Sequence, residues 1–219
     1  MKCSIIIPLH NERNTILTLL DRVRALQLDK QIIVVDDCST DGSAEVIQGQ
    51  KDLIFLRHPV NRGKGAAIRT GLEHATGEIV VMQDADLELD TNDIPRLVEL
   101  VKNGAPVVYG SRFKGKGEFI ARSFWANKFL TGLTNLLYGS NLTDMETCYK
   151  CMRAGIIKSL NLKANRFEIE PEITSKVLLA GHEIVEIPIS YKARTEGKKI
   201  NWKDGLAAVW HLLKYRLGG

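Results

Sequence analysis

The 219-residue sequence lacks any apolar run long enough to cross a bilayer, which takes roughly 20 residues; runs such as Ile5-Ile6-Ile7 and Ile32-Ile33-Val34-Val35 are of strand length and end in polar residues. It also lacks the charged, apolar and small-residue succession of a secretory leader, because Met1-Lys2-Cys3-Ser4 leads directly into a strand. A cytoplasmic protein is therefore expected. With only 6 Pro against 44% hydrophobic residues, a disordered or low-complexity chain is excluded. The excess of charge is slight, 30 Lys+Arg over 26 Asp+Glu for a net +4. That is too little to mark a nucleic-acid binder, and no RNA- or DNA-binding signature appears, so no nucleic-acid partner is expected. The 4 cysteines of such a chain read as thiols and not as a disulfide frame. Cys148-Tyr149-Lys150-Cys151 is a lone CxxC with no second pair or HxxxH to complete a zinc site, which makes it a packing feature.

What is present is an alternation of strand and helix over one domain's length. Apolar runs at Ser4–Pro8, Ile32–Val35, Leu53–Leu56, Glu78–Met82 and Pro106–Tyr109 read as strands. Between them, Ile16, Leu19, Leu20, Val23 and Leu26 recur at helical spacing, and helices are expected over Lys64–Ala75 and Asn92–Lys102. Such alternation implies a mostly parallel sheet with helices on both faces, whose ligands bind at the carboxyl ends of the strands. Asp36, Asp37, Asp84 and Asp86 all fall at such ends. After Arg112 the rhythm changes. A basic loop, Lys114 to Gly117, leads into an apolar stretch from Phe119 to Tyr138; a helix over Glu170–Ala180, a strand over Glu183–Ile189 and a terminal stripe follow. The stripe is Trp202, Leu206, Val209, Trp210, Leu213 and Leu217, flanked by Lys203, His211, Lys214 and Arg216.

The sharpest chemical signal is Asp84-Ala85-Asp86 with Glu88 two positions on. Two unit charges about 4 Å apart in a partly buried site repel by on the order of 4 kcal/mol, so the cluster calls for a cation. Carboxylates are hard ligands, which points to Mg²⁺ or Mn²⁺, with Asp84, Asp86 and Glu88 as the candidate metal ligands and diphosphate oxygens filling the remaining positions. The second signal, Val34 to Ser43, puts Asp37 where it can reach a ribose or base, while Thr40, Asp41 or Ser43 caps the next helix. Asn61-Arg62-Gly63-Lys64-Gly65 follows the third strand, lacks a third Gly and lacks the Lys-Ser/Thr of a P-loop. It reads as a tight turn onto a helix, with Lys64 as a candidate ligand contact, and a dinucleotide-binding dehydrogenase and a P-loop ATPase are disfavoured. Pro8-Leu9-His10-Asn11-Glu12, Gly110-Ser111-Arg112 and Tyr191 to Lys199 add one acid and several cations around the acidic cluster.

These motifs, in this order and over nearly the whole chain, resemble the family 2 glycosyltransferases of the GT-A fold, and among them the polyprenyl-phosphate sugar transferases such as the dolichyl-phosphate mannose synthases. The resemblance implies a Rossmann-like three-layer α/β sandwich with C-terminal amphipathic helices: a nucleotide-sugar-binding half over residues 1–112 and an acceptor-binding half over 113–219. It implies that Pro8, His10 and Glu12 line the nucleotide pocket with Val35 and Asp37, that Asp84 and Ala85 lie along the donor, and that Asp86 holds the metal. Arg112, Arg194 and Lys198 or Lys199 face phosphates, with Arg122 and Asp144 as further candidates. Two departures stand out: Glu88 where the mannose synthases commonly have Gln, and Cys148 where the family has Gly.

The implied reaction is inverting transfer of a hexosyl group from a nucleoside-diphosphate sugar, GDP-mannose or a UDP-sugar, to a dolichyl or undecaprenyl phosphate. A phosphate acceptor needs cations and no general base. A hydroxyl acceptor would need Asp144, Glu168 or Glu170 as base, and that alternative stays open, as does sugar-nucleotide binding without turnover. A lipid acceptor gives Phe119–Tyr138 and Trp202–Leu217 the character of interfacial helices, with peripheral contact at the inner membrane face; packing on the protein's own core is the competing expectation.

Overall fold

In the computed structural model, residues 1–194 and 202–218 are described. The chain runs β1 (Cys3–Leu9), α1 (Ile16–Ala25), β2 (Lys30–Asp36), α2 (Ser43–Ile47), β3 (Ile54–Arg57), α3 (Lys64–His74), β4 (Ile79–Met82), α4 (Ile94–Lys102) and β5 (Val107–Ser111). It continues through β6 (Gly117–Glu118), α5 (Ala121–Tyr138), β7 (Lys150–Arg153), α6 (Ala154–Ser159), α7 (Ile169–Leu179), β8 (Ile184–Pro188), β9 (Tyr191–Lys192) and α8 (Trp202–Arg216). Seven strands form one sheet in the order β3-β2-β1-β4-β7-β5-β8, with helices on both sides. Only β7 runs against its neighbours β4 and β5. The fold is thus the three-layer α/β sandwich with a mostly parallel sheet expected from the alternation.

Local chemistry explains the elements. Ile5, Ile6 and Ile7 are all fully buried, as a parallel strand covered on both faces requires. In α4, Ile94, Leu97, Val98 and Val101 repeat at helical spacing and are fully buried, while the Asp90 side chain accepts from Asn92 N to cap the short turn that leads into it. Gly63 starts α3 at φ +94°, and a Cβ there would meet Asn165 O at 2.4 Å, so glycine is required on both counts.

The chain crosses from β1 to β2 to β3 on one side and then returns to place β4 on the other side of β1. This switch point opens a crevice at the carboxyl ends of β1 and β4. Strands β7 and β8, from beyond residue 112, complete the same sheet, so both halves of the chain share one core.

In the second half the apolar helix faces are only partly covered. Helix α8 packs through Ala208, Leu212 and Tyr215, whereas Leu206, Trp210, Leu213 and Leu217, most of the stripe read from the sequence, are exposed. Helix α5 buries Leu130, Thr131 and Thr134 and exposes Trp125, Phe129 and Leu136. Leu130, Leu142, Met145, Ala208 and Leu212 form a small separate cluster between the two helices. The cysteines Cys3, Cys38, Cys148 and Cys151 are all free thiols.

Candidate active site

The crevice gathers acids from two segments on the cation of a third. Glu12 follows β1, Asp84, Asp86 and Glu88 follow β4, and Arg194 follows β9. Arg194 Nη1 lies 2.8 Å from Glu12 Oε1, Nη2 3.5 Å from Asp86 Oδ2 and Nε 3.7 Å from Glu88 Oε1. Its backbone N–H donates to Glu88 Oε1 at 2.9 Å, and Tyr191 Oη donates to Glu88 Oε2 at 3.1 Å. The Arg112 guanidinium sits 5.3 Å over the Tyr191 ring and is clamped by Asp144, with Nε to Oδ2 and Nη2 to Oδ1 both at 2.7 Å. One continuous chain, Asp144–Arg112–Tyr191–Glu88–Arg194–Glu12, therefore joins the basic and acidic sides of the crevice.

Lys64 opens α3 with its ammonium between Asp84 Oδ1 and Glu170 Oε1, both at 2.7 Å. Burial opposes its charge, yet the two carboxylates hold its pKa well above the ordinary lysine value. Burial likewise opposes the charge of Asp84, and Lys64 outweighs it to keep that carboxyl below the usual range. Lys64→Met is expected to leave both acids without their cation and to cost about 3 kcal/mol, read as a drop in thermal midpoint of roughly 6–12 °C.

The three expected metal ligands do not converge. Asp84 is drawn to Lys64 and Glu88 to Arg194 N and Tyr191, and among the described residues no group of three His, Cys, Asp or Glu side chains is placed to hold one ion. Asp86 stands apart. Burial first, then Asp84 and Glu88, push its carboxyl up to about 7, and its nearest cation is the long Arg194 contact. An acid so crowded by negative charge fits a divalent ion that takes one or two carboxylate oxygens and completes its shell from a ligand's phosphates.

Several of the expected ligand contacts have protein partners of their own. Asp37 accepts from His58 Nδ1 at 2.7 Å, Arg62 N at 2.8 Å and Gly63 N at 2.6 Å, and so pins the Asn61–Gly63 turn to the end of β2. Val35 is fully buried, so its side chain belongs to the core. Ala85 contributes its carbonyl to Thr15 Oγ1 at 3.0 Å. Asp144 is fully buried and its two oxygens accept from Arg112. His10 Nδ1 contacts Asp37 O at 3.0 Å beside Pro8, at the mouth of the crevice. Arg122 is exposed in the first turn of α5. Lys198 and Lys199 lie outside the described residues.

Two roles are visible only in three dimensions: Tyr191 as the platform under Arg112, and Glu186, which accepts from Thr143 N, Thr143 Oγ1 and Asp144 N and holds the loop that carries Asp144. Their partners lie far away along the chain, so spacing carries no signal of them.

The chain is 29% identical to a dolichol-phosphate mannosyltransferase of Pyrococcus furiosus over 98% of its own length and 64% of that protein's, just under two thirds. It is 29% identical to an undecaprenyl-phosphate mannosyltransferase of Micrococcus luteus, with 100% of both chains covered. Among solved structures, glucosyl-3-phosphoglycerate synthase from Mycobacterium tuberculosis, in complex with Mn²⁺, uridine-diphosphate and glucosyl-3-phosphoglycerate, superposes with a TM-score of 0.77. That match has 19% identity and covers 98% of this chain and 79% of the other, and it shows a shared GT-A architecture. The family described as glycosyl transferase family 2 matches residues 4–160, and the chain belongs to glycosyl transferase family 2.

Proposed function

We propose that the protein transfers a hexosyl group, with inversion, from a nucleoside-diphosphate sugar to a polyprenyl phosphate. The observation that carries this reading is Arg112, a largely buried cation clamped by Asp144 and so placed to orient a phosphate; each candidate base, moreover, commits at least one carboxylate oxygen. Asp144 is clamped by Arg112, Glu170 Oε1 bonds Lys64, and Glu168 Oε1 accepts from Asn165 N and Arg166 N. A hydroxyl acceptor requires a carboxylate free to take its proton. A phosphate monoester, with a second pKa of about 6, is already a nucleophile at neutral pH and needs only cations to place it.

In this mechanism Pro8, His10 and Glu12 border the nucleotide, and Asp84 lies along the donor. Asp86 would hold Mg²⁺ or Mn²⁺ beside the diphosphate. Lewis-acid stabilisation of the leaving diphosphate is the chemistry such an ion supplies when bound. Arg112, held rigid by Asp144 and Tyr191, would orient the acceptor phosphate, and Arg194 would exchange its carboxylate partners for donor phosphate. The bond from the anomeric carbon to the diphosphate oxygen breaks through an oxocarbenium-like state. A phosphate oxygen of the acceptor bonds the opposite face, and the nucleoside diphosphate leaves with the electron pair. The names of the Pyrococcus and Micrococcus relatives, both polyprenyl-phosphate mannosyltransferases, and the Mn²⁺ and UDP bound in the mycobacterial structure support the reading.

The test is transfer from radiolabelled GDP-mannose and UDP-sugars to undecaprenyl phosphate, dolichyl phosphate or the corresponding free alcohols. Organic-extractable product is expected with a phosphate acceptor and divalent ion, and none with chelator. Product formed with the free alcohols alone overturns the reading.

A lipid acceptor also accounts for the uncovered helix faces. Trp125, Phe129 and Leu136 line one side of α5, while Leu206, Trp210 and Leu213 line one side of α8, with Leu217 just past its end, near Lys214 and Arg216. Such faces suit an anionic bilayer surface; among the described residues no helix is long and apolar enough to cross one. Combined Trp125→Ser and Trp210→Ser changes are expected to weaken binding to anionic vesicles by at least about tenfold. Because these indoles are 70% and 64% exposed, the thermal midpoint should not move. Unchanged co-sedimentation with vesicles counts against this face.

A further inference from the structure

Two buried carboxylate oxygens beside the crevice have no hydrogen-bond partner among the described residues. Glu170, only 6% exposed in the first turn of α7, gives Oε1 to Lys64 while its buried Oε2 accepts no hydrogen bond. Glu146, partly exposed in the loop before β7, likewise has a buried Oε1 with no partner. Buried acceptors are nearly always satisfied, and an unsatisfied one destabilises the fold. Two such atoms, on carboxyls that act on each other, call for something bound in the crevice to complete them.

Their neighbours say where that something lies. The groups acting most strongly on Glu146 are Glu170, Lys150, Arg112 and Asp144, and Glu170 shares Lys64 with Asp84. Glu170 thus adjoins the donor side, marked by Asp84, and Glu146 the phosphate-orienting Arg112. Lys150 is spent internally: it is fully buried, its Nζ donates to Met145 O at 2.6 Å and sits 4.0 Å over the Tyr109 ring. The cluster holds four acids, Asp84, Asp144, Glu146 and Glu170, against three cations, Lys64, Arg112 and Lys150. Burial first and then Glu170 push the Glu146 carboxyl up to about 8, toward its neutral form. A neutral carboxyl both donates and accepts, as a sugar hydroxyl does, and has little to offer a phosphate or a metal ion.

The geometry points to Glu146 and Glu170 as the pair that grips hydroxyls of the transferred hexosyl group, with Glu146 deciding which sugar is accepted. This rests on the sugar-nucleotide reading above. It adds a specificity-determining residue that lies outside both the metal-binding and the phosphate-binding groups.

Calorimetry with Mn²⁺ tests it on the whole chain, using UDP and GDP in one set and UDP-glucose, UDP-galactose and GDP-mannose in the other. In Glu146→Ala, affinity for the bare diphosphate should stay within about twofold of the parent. Affinity for the preferred sugar nucleotide should fall by about tenfold, and the ratio between UDP-glucose and UDP-galactose should shrink toward one. Glu146→Gln should restore most of the lost affinity, because it keeps a donor and an acceptor. Glu146→Ser, truncated but polar, carries the same measurement should alanine cost the fold. If the truncated variants bind diphosphate and sugar nucleotide in the parent's proportions, this inference is overturned while the proposed function stands. If the parent binds no nucleoside diphosphate, the proposed function fails and takes this inference with it.

Discussion

Asp86→Asn is expected to lower transferase turnover by about a thousandfold or more while leaving the protein folded and no less stable. Asparagine keeps the shape of the side chain at the tip of β4 but removes the charge a divalent ion would need. Lewis-acid stabilisation of a leaving diphosphate is worth several kcal/mol, and about 4 kcal/mol corresponds to roughly three powers of ten in rate. The fold should not suffer, because the parent carboxyl is crowded by Asp84 and Glu88 in a buried setting that disfavours its charge. Calorimetry of Mn²⁺ with UDP, run beside thermal unfolding, separates the two effects. A variant that keeps more than a tenth of the parent's turnover, or still binds UDP more tightly with metal than with chelator, contradicts the role given to Asp86.

Arg112→Met is expected to damage both stability and turnover, for separable reasons. It leaves Asp144, fully buried, without the guanidinium that satisfies both its oxygens. Breaking a buried pair by removing one partner costs about 3–5 kcal/mol. The double variant Arg112→Met with Asp144→Leu should recover most of that loss, since replacing both charges by apolar groups of similar volume is often neutral. It should recover none of the turnover, because no cation then faces the acceptor phosphate. Denaturant unfolding and the transfer assay on both variants give the answer. Restored turnover in the double variant refutes a direct part for Arg112.

The first half of the fold is legible in the sequence because its strands are buried on both faces and its helices on one. Runs such as Ile5 to Ile7 and the spacing of Ile16, Leu19, Leu20 and Val23 leave few alternatives. Strand β7 escaped because Lys-Cys-Met-Arg has no alternation, and its place in the sheet depends on strands Ile79–Met82 and Val107–Ser111, both distant along the chain. The acidic cluster and the two arginines announced themselves by residue type. Their partners did not: that Lys64 would span Asp84 and Glu170, or that Asp37 would spend its oxygens on a turn, is decided by three-dimensional closure. The terminal stripe shows a further limit, since spacing finds an apolar face but cannot say whether protein or solvent meets it. In α8 the residues that meet protein include Ala208 and Tyr215, outside the stripe.

The reversed strand has a consequence for how the chain assembles. Within the main sheet β5 bonds only to β7 and β8, so Val107–Ser111 has no strand to pair with until synthesis has passed Arg153. A nascent chain that has emerged only through α5 can zip β1 to β4 together, yet it carries β5 with both edges bare. Such edges invite pairing with other chains, which makes the interval between those two points the one in which a ribosome-bound chaperone has most to protect.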